Sequence, residues 1–158
     1  MFKRILVAID ASDYSRLILP AAIEVAHKFG SSVFVLHVVE HDRGRSVVYS
    51  TESTAEATQL VAKSVKAIRD AGIQADGQVG DVAVGHVARD IVDTAKAFES
   101  DLIVMGSRGL SDVQGLLLGS VTHKVMHLAQ VPVLVVRGPI PVIERAEQPI
   151  RALAFAQA

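Results

Sequence analysis

Residues 102–120 read LIVMGSRGLSDVQGLLLGS, an apolar run that passes into a glycine-rich segment and ends where a helical pattern begins. The run Leu102–Met105 is short, continuous and apolar, which is typical of a strand buried on both faces. Four glycines fall within residues 106–120. Glycine lets the backbone adopt positive φ and lets a ligand approach without a Cβ in the way. The stretch therefore predicts a strand, a turn that approaches a ligand, and a helix.

Strand and helix patterns alternate along the rest of the chain as well. Strands are predicted over residues 5–9, 33–39, 73–79, 102–105 and 131–136, the third being a weaker, half-exposed edge strand. Helices are predicted over residues 17–29, 54–71, about 84–98 and 119–129, with Gly80 and Asp81 leading into the third and Val84 on its apolar face. Such alternation predicts an α/β fold, a three-layer sandwich whose parallel sheet lies between helices.

The order of the strands predicts where a ligand would bind. Doubly wound sheets of this kind commonly have the order 3-2-1-4-5, and ligands bind at the carboxyl ends of the strands where the order reverses. Asp10 ends the first strand and Gly106 follows the fourth. The two loops are therefore expected to meet in one crevice between these strands.

Length and composition exclude several classes of protein. The 158 residues predict one domain over residues 1–137, with a tail over 138–158. The formal net charge is −1, so neither a nucleic-acid nor a membrane partner is expected. The chain has no cysteine, which excludes disulfides and thiolate sites, and no apolar stretch long enough for a signal peptide or membrane span. We expect a cytoplasmic protein. The polar residues 40–52 are expected to form a long functional or mobile loop.

The glycine-rich segment is suited to an anion. Backbone amides in such turns form anion-binding concavities, and a helix that opens at Gly119 adds unpaired amides with a partial positive charge. Ser120 and Thr122 in its first turn carry hydroxyls, which suits a di- or triphosphate. Neither a Walker-type loop nor a strand-linked G-x-G-x-x-G is present. Arg108 is the nearby cation, and both a phosphate contact and a solvated loop arginine remain open for it.

Gly106-x2-Gly109-x9-Gly119-Ser120 resembles the G-2x-G-9x-G-(S/T) motif of the universal stress protein family, in the branch that binds ATP. Residues 5–10, ILVAID, and 117–122, LLGSVT, are similar to that family too, and the resemblance covers about residues 1–137. It implies a Rossmann-like fold of the adenine-nucleotide α-hydrolase type and a nucleotide-dependent regulator or sensor of the stress response.

The resemblance also implies roles for particular residues. Asp10 would lie near the adenosine, and Val38 would contact the adenine through its backbone. Ala8 and Ile9 would form the wall of the base pocket, and Gly106 and Gly109 would line the path of the ribose and phosphates. The phosphates would be held, with Mg²⁺ or Mn²⁺ bridging their oxygens, by the opening turn of the helix: Gly119, Ser120, Val121 and Thr122.

Two positions depart from the family pattern. Ala11 stands where many members have glycine, so its Cβ is expected to tighten the mouth of the pocket. Leu110 replaces the basic or polar residue that often follows the second glycine, which is expected to weaken affinity for the γ-phosphate.

Less specific interpretations compete with these assignments. Asp10 would serve equally as a helix cap. His123 and His127 are four residues apart, a spacing that can chelate a metal, but no H-E-x-x-H pattern accompanies them, so ordinary core or surface histidines are favoured and no side-chain metal ligand is predicted. His37 is expected to be partly buried with a hydrogen bond.

Neither a catalytic triad nor a group that would orient an attacking water is evident, so at most slow ATP hydrolysis is expected. The alternative function is a dimeric scaffold of the same fold that binds no nucleotide. A homodimer joined antiparallel through the fifth strand, Val133–Val136, is expected because this apolar strand lies at a sheet edge, and the resemblance implies it too.

Overall fold

A computed structural model describes residues 1–12, 15–41, 53–107 and 118–137 of the chain. The strands are β1 (Arg4–Ile9), β2 (Ser32–His41), β3 (Ala75–Ala83), β4 (Leu102–Gly106) and β5 (Val133–Val136). The helices are α1 (Ser15–Phe29), α2 (Thr54–Asp70), α3 (Val87–Ala97) and α4 (Ser120–Leu128). The predicted loop over 40–52 from residue 42 onwards, the glycine-rich segment over 108–117 and the tail over 138–158 lie outside these ranges.

The strands form one parallel sheet in the order β3-β2-β1-β4-β5, which confirms the predicted topology. Its central strand β1 pairs with both β2 and β4, and Ile5, Leu6 and Val7 are fully buried. Short apolar strands form here because both faces of a parallel sheet are covered by helices.

Alternate residues of β1 face two different cores. Ile5, Val7 and Ile9 belong to one apolar cluster, to which α1 contributes Ile18 and Ala22. Helix α2 completes that cluster with Val61, Val65 and Ile68. The other cluster takes Leu6 and Ala8 from β1, Ala88, Ile91 and Ala95 from α3, and Val125 from α4. Two helices therefore cover each face, which confirms the three-layer arrangement.

The predicted boundary between β3 and α3 is wrong. Gly80 and Asp81 lie within β3, and α3 begins only at Val87. Val84, predicted on the apolar face of the helix, is 60% exposed in the turn. The strand extends because β2 is long and keeps pairing with it as far as His41 opposite Ala83. The side-chain pattern of β3 does not reveal this continuous backbone pairing.

Specific hydrogen bonds stabilise both ends of α2. Ser53 and Glu56 form a reciprocal capping box, in which the Ser53 hydroxyl accepts from the Glu56 amide and the Glu56 carboxylate accepts from the Ser53 amide. At the other end, Arg69 Nε donates to the carbonyl of Ala75 at 2.8 Å. The Arg69 contact ties the end of α2 to β3, the edge strand. In the part of the chain that the structure describes, no helix is long and apolar enough to cross a membrane.

Candidate functional site

The carboxyl ends of β1 and β4 lie side by side. Ala8 is in register with Met105, so Ile9 and Asp10 continue next to Gly106 and Ser107. Ala8 and Ile9 are buried, at 8% and 5% exposed, and Asp10 is half-buried at the edge of the sheet. The structure therefore brings together the predicted crevice residues of these two strands.

Asp10 adopts a turn with the residues that follow it. Its Oδ1 accepts hydrogen bonds from the amide of Ser12 at 3.0 Å and from the Ser12 hydroxyl. Such an Asx turn redirects the chain after a strand. Ala11, the residue that replaces glycine, is exposed at this turn. The carboxylate is thus held at the edge of the crevice by the amide and hydroxyl of Ser12.

Three hydrogen bonds join the end of β4 to its neighbours, two of them to the N-terminus of α4 and one to β5. The Gly119 amide donates to the carbonyl of Ser107 at 2.7 Å, and the Ser107 amide donates to the carbonyl of Val136 at 2.8 Å. The Thr122 hydroxyl donates to the carbonyl of Gly106 at 2.8 Å. The opening turn of α4 is therefore held at the same sheet edge as Asp10.

This opening turn presents backbone donors. The first intrahelical bond runs from the His123 amide to the Gly119 carbonyl at 3.0 Å, so the amides of Ser120, Val121 and Thr122 precede the hydrogen-bonded ladder. Gly119 caps the helix in an extended conformation, without a side-chain cap. Amides aligned in this way carry partial positive charge and attract anions.

The two hydroxyls predicted at this turn have different environments. Ser120 is exposed, whereas Thr122 is 3% exposed and donates to Gly106. Ser120 is therefore available to a ligand as a side chain. Thr122 contributes its backbone amide and fixes the helix to the strand.

Val38 lies on the neighbouring strand β2, half-buried and in register with Gly80. The preceding residue, His37, is buried, and its Nδ1 lies 3.0 Å from the carbonyl of Ile9. A carbonyl can only accept, so Nδ1 carries the hydrogen. The prediction of a hydrogen-bonded histidine is confirmed, although the side chain is more completely buried than predicted. This bond links β2 to the last residue of β1 behind the crevice.

Sequence reasoning missed how two residues organise the site, although it predicted a hydrogen bond at one of them, His37. Ser107 is 3% exposed and holds both α4 and β5 through its backbone, and His37 holds the end of β1. Their roles depend on contacts with residues far away in the chain. The position of Ser107 between a strand and Arg108 is the only sequence signal for its role. Arg108 and Gly109, both predicted site residues, lie beyond the residues that the structure describes.

The donor set fits a nucleotide whose metal is held by phosphates. Among residues 1–12, 15–41, 53–107 and 118–137, no group of three or more histidine and acidic side chains is placed to hold a metal ion. Asp10 is the carboxylate at the crevice, beside the amides of α4. A metal here would take its ligands mainly from phosphate oxygens, as Mg²⁺ commonly does.

A separate cleft of about 510 Å³ lies at the opposite, amino edge of the sheet. Its charged side chains have contacts of their own: Arg4 pairs with Glu99 at 2.9 Å and lies over the Phe98 ring, Arg69 donates to Ala75, and Asp76 accepts from the Gly77 amide. The cleft does not contact the carboxyl edge. The cleft is therefore not part of the crevice between β1 and β4.

Comparison with known proteins agrees with this architecture. The model of the universal stress protein family matches residues 1–137. Universal stress protein YxiE of Bacillus subtilis is 34% identical over 156 residues, covering 87% of this chain and all of YxiE. The solved structure of protein MJ0577 superposes with a TM-score of 0.74 at 25% identity, covering 89% of this chain and 99% of that one.

A universal stress protein from Archaeoglobus fulgidus, solved in complex with dAMP, is 29% identical to this chain. The TM-score is 0.64, and the match covers 85% of this chain and 97% of the other. The sheet order, the matched family model and these similarities agree. The chain belongs to the universal stress protein family.

Proposed function

We propose that this protein binds an adenine nucleotide, ATP with Mg²⁺ or Mn²⁺, in the crevice between β1 and β4. One observation carries the proposal: the amide-bearing opening turn of α4 is fixed by hydrogen bonds to the end of β4, beside Asp10. A helix N-terminus at a switch point of a parallel sheet is suited to phosphate. The relative from Archaeoglobus fulgidus in complex with dAMP supports an adenine nucleotide as the ligand.

Each site residue is assigned the role that the family resemblance implies. Ala8, Ile9 and Val38 form the wall of the base pocket, and Asp10 binds on the ribose side. Gly106 and Gly109 line the path to the phosphates. The phosphates are held by the first turn of α4 and the loop before it: Arg108, Gly119, Ser120, Val121 and Thr122. In this assignment Ser120 acts through its hydroxyl, and Thr122 acts through its amide.

The bound nucleotide serves regulation in the cytoplasm, with ATP hydrolysis slow at most. At the described part of the crevice, the two side chains that could act as a base already hold the fold: Asp10 bonds to Ser12, and His37 bonds to the carbonyl of Ile9. A general base must be able to reach the water that it activates. The arrangement is therefore better suited to sensing a nucleotide than to turning it over.

Calorimetric titration with Mg-ATP, ADP, AMP and dAMP tests the proposal. Wild-type protein is expected to bind saturably, and Asp10→Ala, Ser120→Ala and Gly109→Ala are each expected to weaken binding by about tenfold, or about 1.4 kcal/mol. Asp76→Ala is the matched control, because Asp76 is an exposed carboxylate at the amino end of β3. Its affinity should equal that of wild type.

Absence of wild-type binding at millimolar nucleotide, with the chain folded, would overturn the proposal. The dimeric scaffold would then be the favoured function. A specific observation supports assembly in either case: β5 pairs only with β4 among the described strands, and its Leu134 is 37% exposed. We propose that two copies of the chain pair antiparallel through β5, Val133–Val136, because apolar strand edges favour such pairing.

A further inference from the structure

His123 and His127 lie on the exposed side of α4, one helical turn apart. Their Nε2 atoms are 3.3 Å apart, whereas their ring centroids are 4.6 Å apart, so the nitrogens lie at the facing edges of the two rings. Both side chains are exposed to solvent. From this geometry we propose that the pair is a bidentate site for a transition-metal dication of the Zn²⁺, Ni²⁺ or Cu²⁺ class.

The separation of the two nitrogens matches the distance between two nitrogens that coordinate one such ion. Zinc–imidazole bonds are about 2.0–2.1 Å long, so a tetrahedral angle places two coordinated nitrogens about 3.3–3.4 Å apart. The observed 3.3 Å is therefore a separation that two nitrogens on one such ion can have. Water would complete the coordination. In the sequence, the spacing permitted chelation, but the absence of an H-E-x-x-H pattern favoured ordinary histidines. The 3.3 Å distance between the nitrogens changes that interpretation.

The surrounding charge permits a cation at this position. His127 lies in the last turn of α4, where the helix dipole favours positive charge. Exposed Lys124 lies next to His123 and opposes the ion, although solvent screens this repulsion. The alternative explanation of the short distance is a hydrogen bond between two neutral rings, which at an exposed site contributes little stability.

The other four histidines of the chain lack this arrangement. His37 is bonded to the carbonyl of Ile9, and His41 pairs with Asp81 at 3.1 Å. His86 directs its Nδ1 towards the carbonyls of Ala83 and Val84. His27 is exposed in the last turn of α1 and provides a matched control.

The proposed site does not depend on nucleotide. Imidazole nitrogen favours zinc, nickel and copper, whereas Mg²⁺ favours oxygen ligands such as phosphates. A metal at the histidine pair would link the first and second turns of α4. Titrations without nucleotide therefore separate this site from a metal bridging phosphates.

Calorimetric titration of the untagged, EDTA-treated full chain with ZnCl₂ tests the site. One Zn²⁺ per chain is expected, and millimolar Mg²⁺ should not compete. His123→Ala and His127→Ala should each lower affinity at least about tenfold, and the double variant should lose little more, because each nitrogen matters only with its partner. His27→Ala should bind like wild type. Cu²⁺ should bind more tightly than Zn²⁺ or Ni²⁺.

Three outcomes would overturn the proposal. They are no saturable Zn²⁺ binding, binding that survives both single substitutions, and binding lost only in His41→Ala, which would place the ion at the His41–Asp81 pair. Electron paramagnetic resonance of the Cu²⁺ form provides a second measurement. Coupling to two imidazole nitrogens is expected in wild type and to fewer in either single variant.

Discussion

Asp90 and Asp101 lie in environments that shift the pKa of an aspartate in opposite directions. Partial burial acts to raise the pKa of Asp101, but hydrogen bonds from the amides of Lys3 and Arg4, at 2.7 and 3.0 Å, outweigh it and lower that pKa. Burial raises the pKa of Asp90, and the charge of Asp93 raises it further. Asp90 Oδ2 is buried and has no hydrogen-bond partner within the described ranges. Its carboxyl packs on the backbone of Gly80, where a Cβ would overlap it.

Substituting Asp90 by asparagine is expected to stabilise the protein at neutral pH. The folded-state pKa lies above the unfolded-state value, so stability is lost as pH rises through the window between them. Asparagine carries no charge to bury. Asp90→Asn should therefore raise the free energy of unfolding at pH 7 by up to about 1 kcal/mol, a bound kept small because the residue is partly exposed.

Urea denaturation at a series of pH values measures this effect. The gain should disappear below the ordinary aspartate pKa of 3.8, where the carboxyl is protonated in both states. Asp93→Asn, which removes only the neighbouring charge, should give a smaller gain. A gain that does not change with pH would contradict the explanation.

At the scale of elements, the contact between α2 and β3 depends on one missing side chain. A Cβ at Gly77 would lie 2.7 Å from the carbonyl oxygen of Val35 and 2.9 Å from Val61 Cγ1. Glycine in a strand often marks such a close approach. The pattern of residues 73–79 indicated a weak edge strand, and the structure shows that the small residue within it admits the helix.

Gly77→Ala is expected to destabilise the fold by about 1–3 kcal/mol, because the added methyl overpacks a junction of backbone and two valines. Gln78→Ala is the control, since Gln78 is exposed on the same strand and should change stability by no more than about 0.5 kcal/mol. Thermal and urea unfolding measure both variants. Equal stability of Gly77→Ala and wild type would contradict this prediction, because it would show that α2 can shift to accept the methyl without a loss of stability.

At the scale of the molecule, the sheet order leaves two strands at its edges. Edge strand β3 is covered in part by α2 and carries Asp76 and Asp81, both exposed. Edge strand β5 is entirely apolar, with Leu134 exposed. Charged residues on an edge oppose pairing between sheets, whereas an apolar edge permits it. This asymmetry favours β5 over β3 as the edge for the proposed dimer.

Leu134→Glu is expected to convert the proposed dimer into monomers, because two like charges would face each other across the paired strands. Light scattering should report a mass of 16.8 kDa instead of twice that value. Leu17→Glu is a matched control, since Leu17 is 38% exposed on α1. Val135→Glu should act as Leu134→Glu does, whereas Val133 packs against the core and is less suitable. An unchanged mass for Leu134→Glu would exclude the β5 interface.

The order and type of the elements followed from the sequence alone. Ile5–Ile9 and Leu102–Met105 are continuous apolar runs, which predicted strands buried on both faces. Residues of α1 and α2 repeat apolar side chains at helical spacing, which predicted helices buried on one face. The structure adds that Gly30, with its positive φ, follows the end of α1, and that a capping box at Ser53 and Glu56 begins α2, both through near neighbours. Periodic burial and caps depend on near neighbours, and the fold class could therefore be predicted.

Tertiary structure alone decided features that depend on distant partners or on side-chain rotamers. The end of β3 at Ala83 was set by pairing with β2, and the use of the Thr122 hydroxyl was set by the carbonyl of Gly106, sixteen residues away. The Asp90 carboxyl was buried by β3, and the rotamers of His123 and His127 placed two nitrogens 3.3 Å apart. Packing in the folded protein determines hydrogen-bond partners and side-chain rotamers. A local sequence pattern does not contain that information, because it does not show which residues pack together.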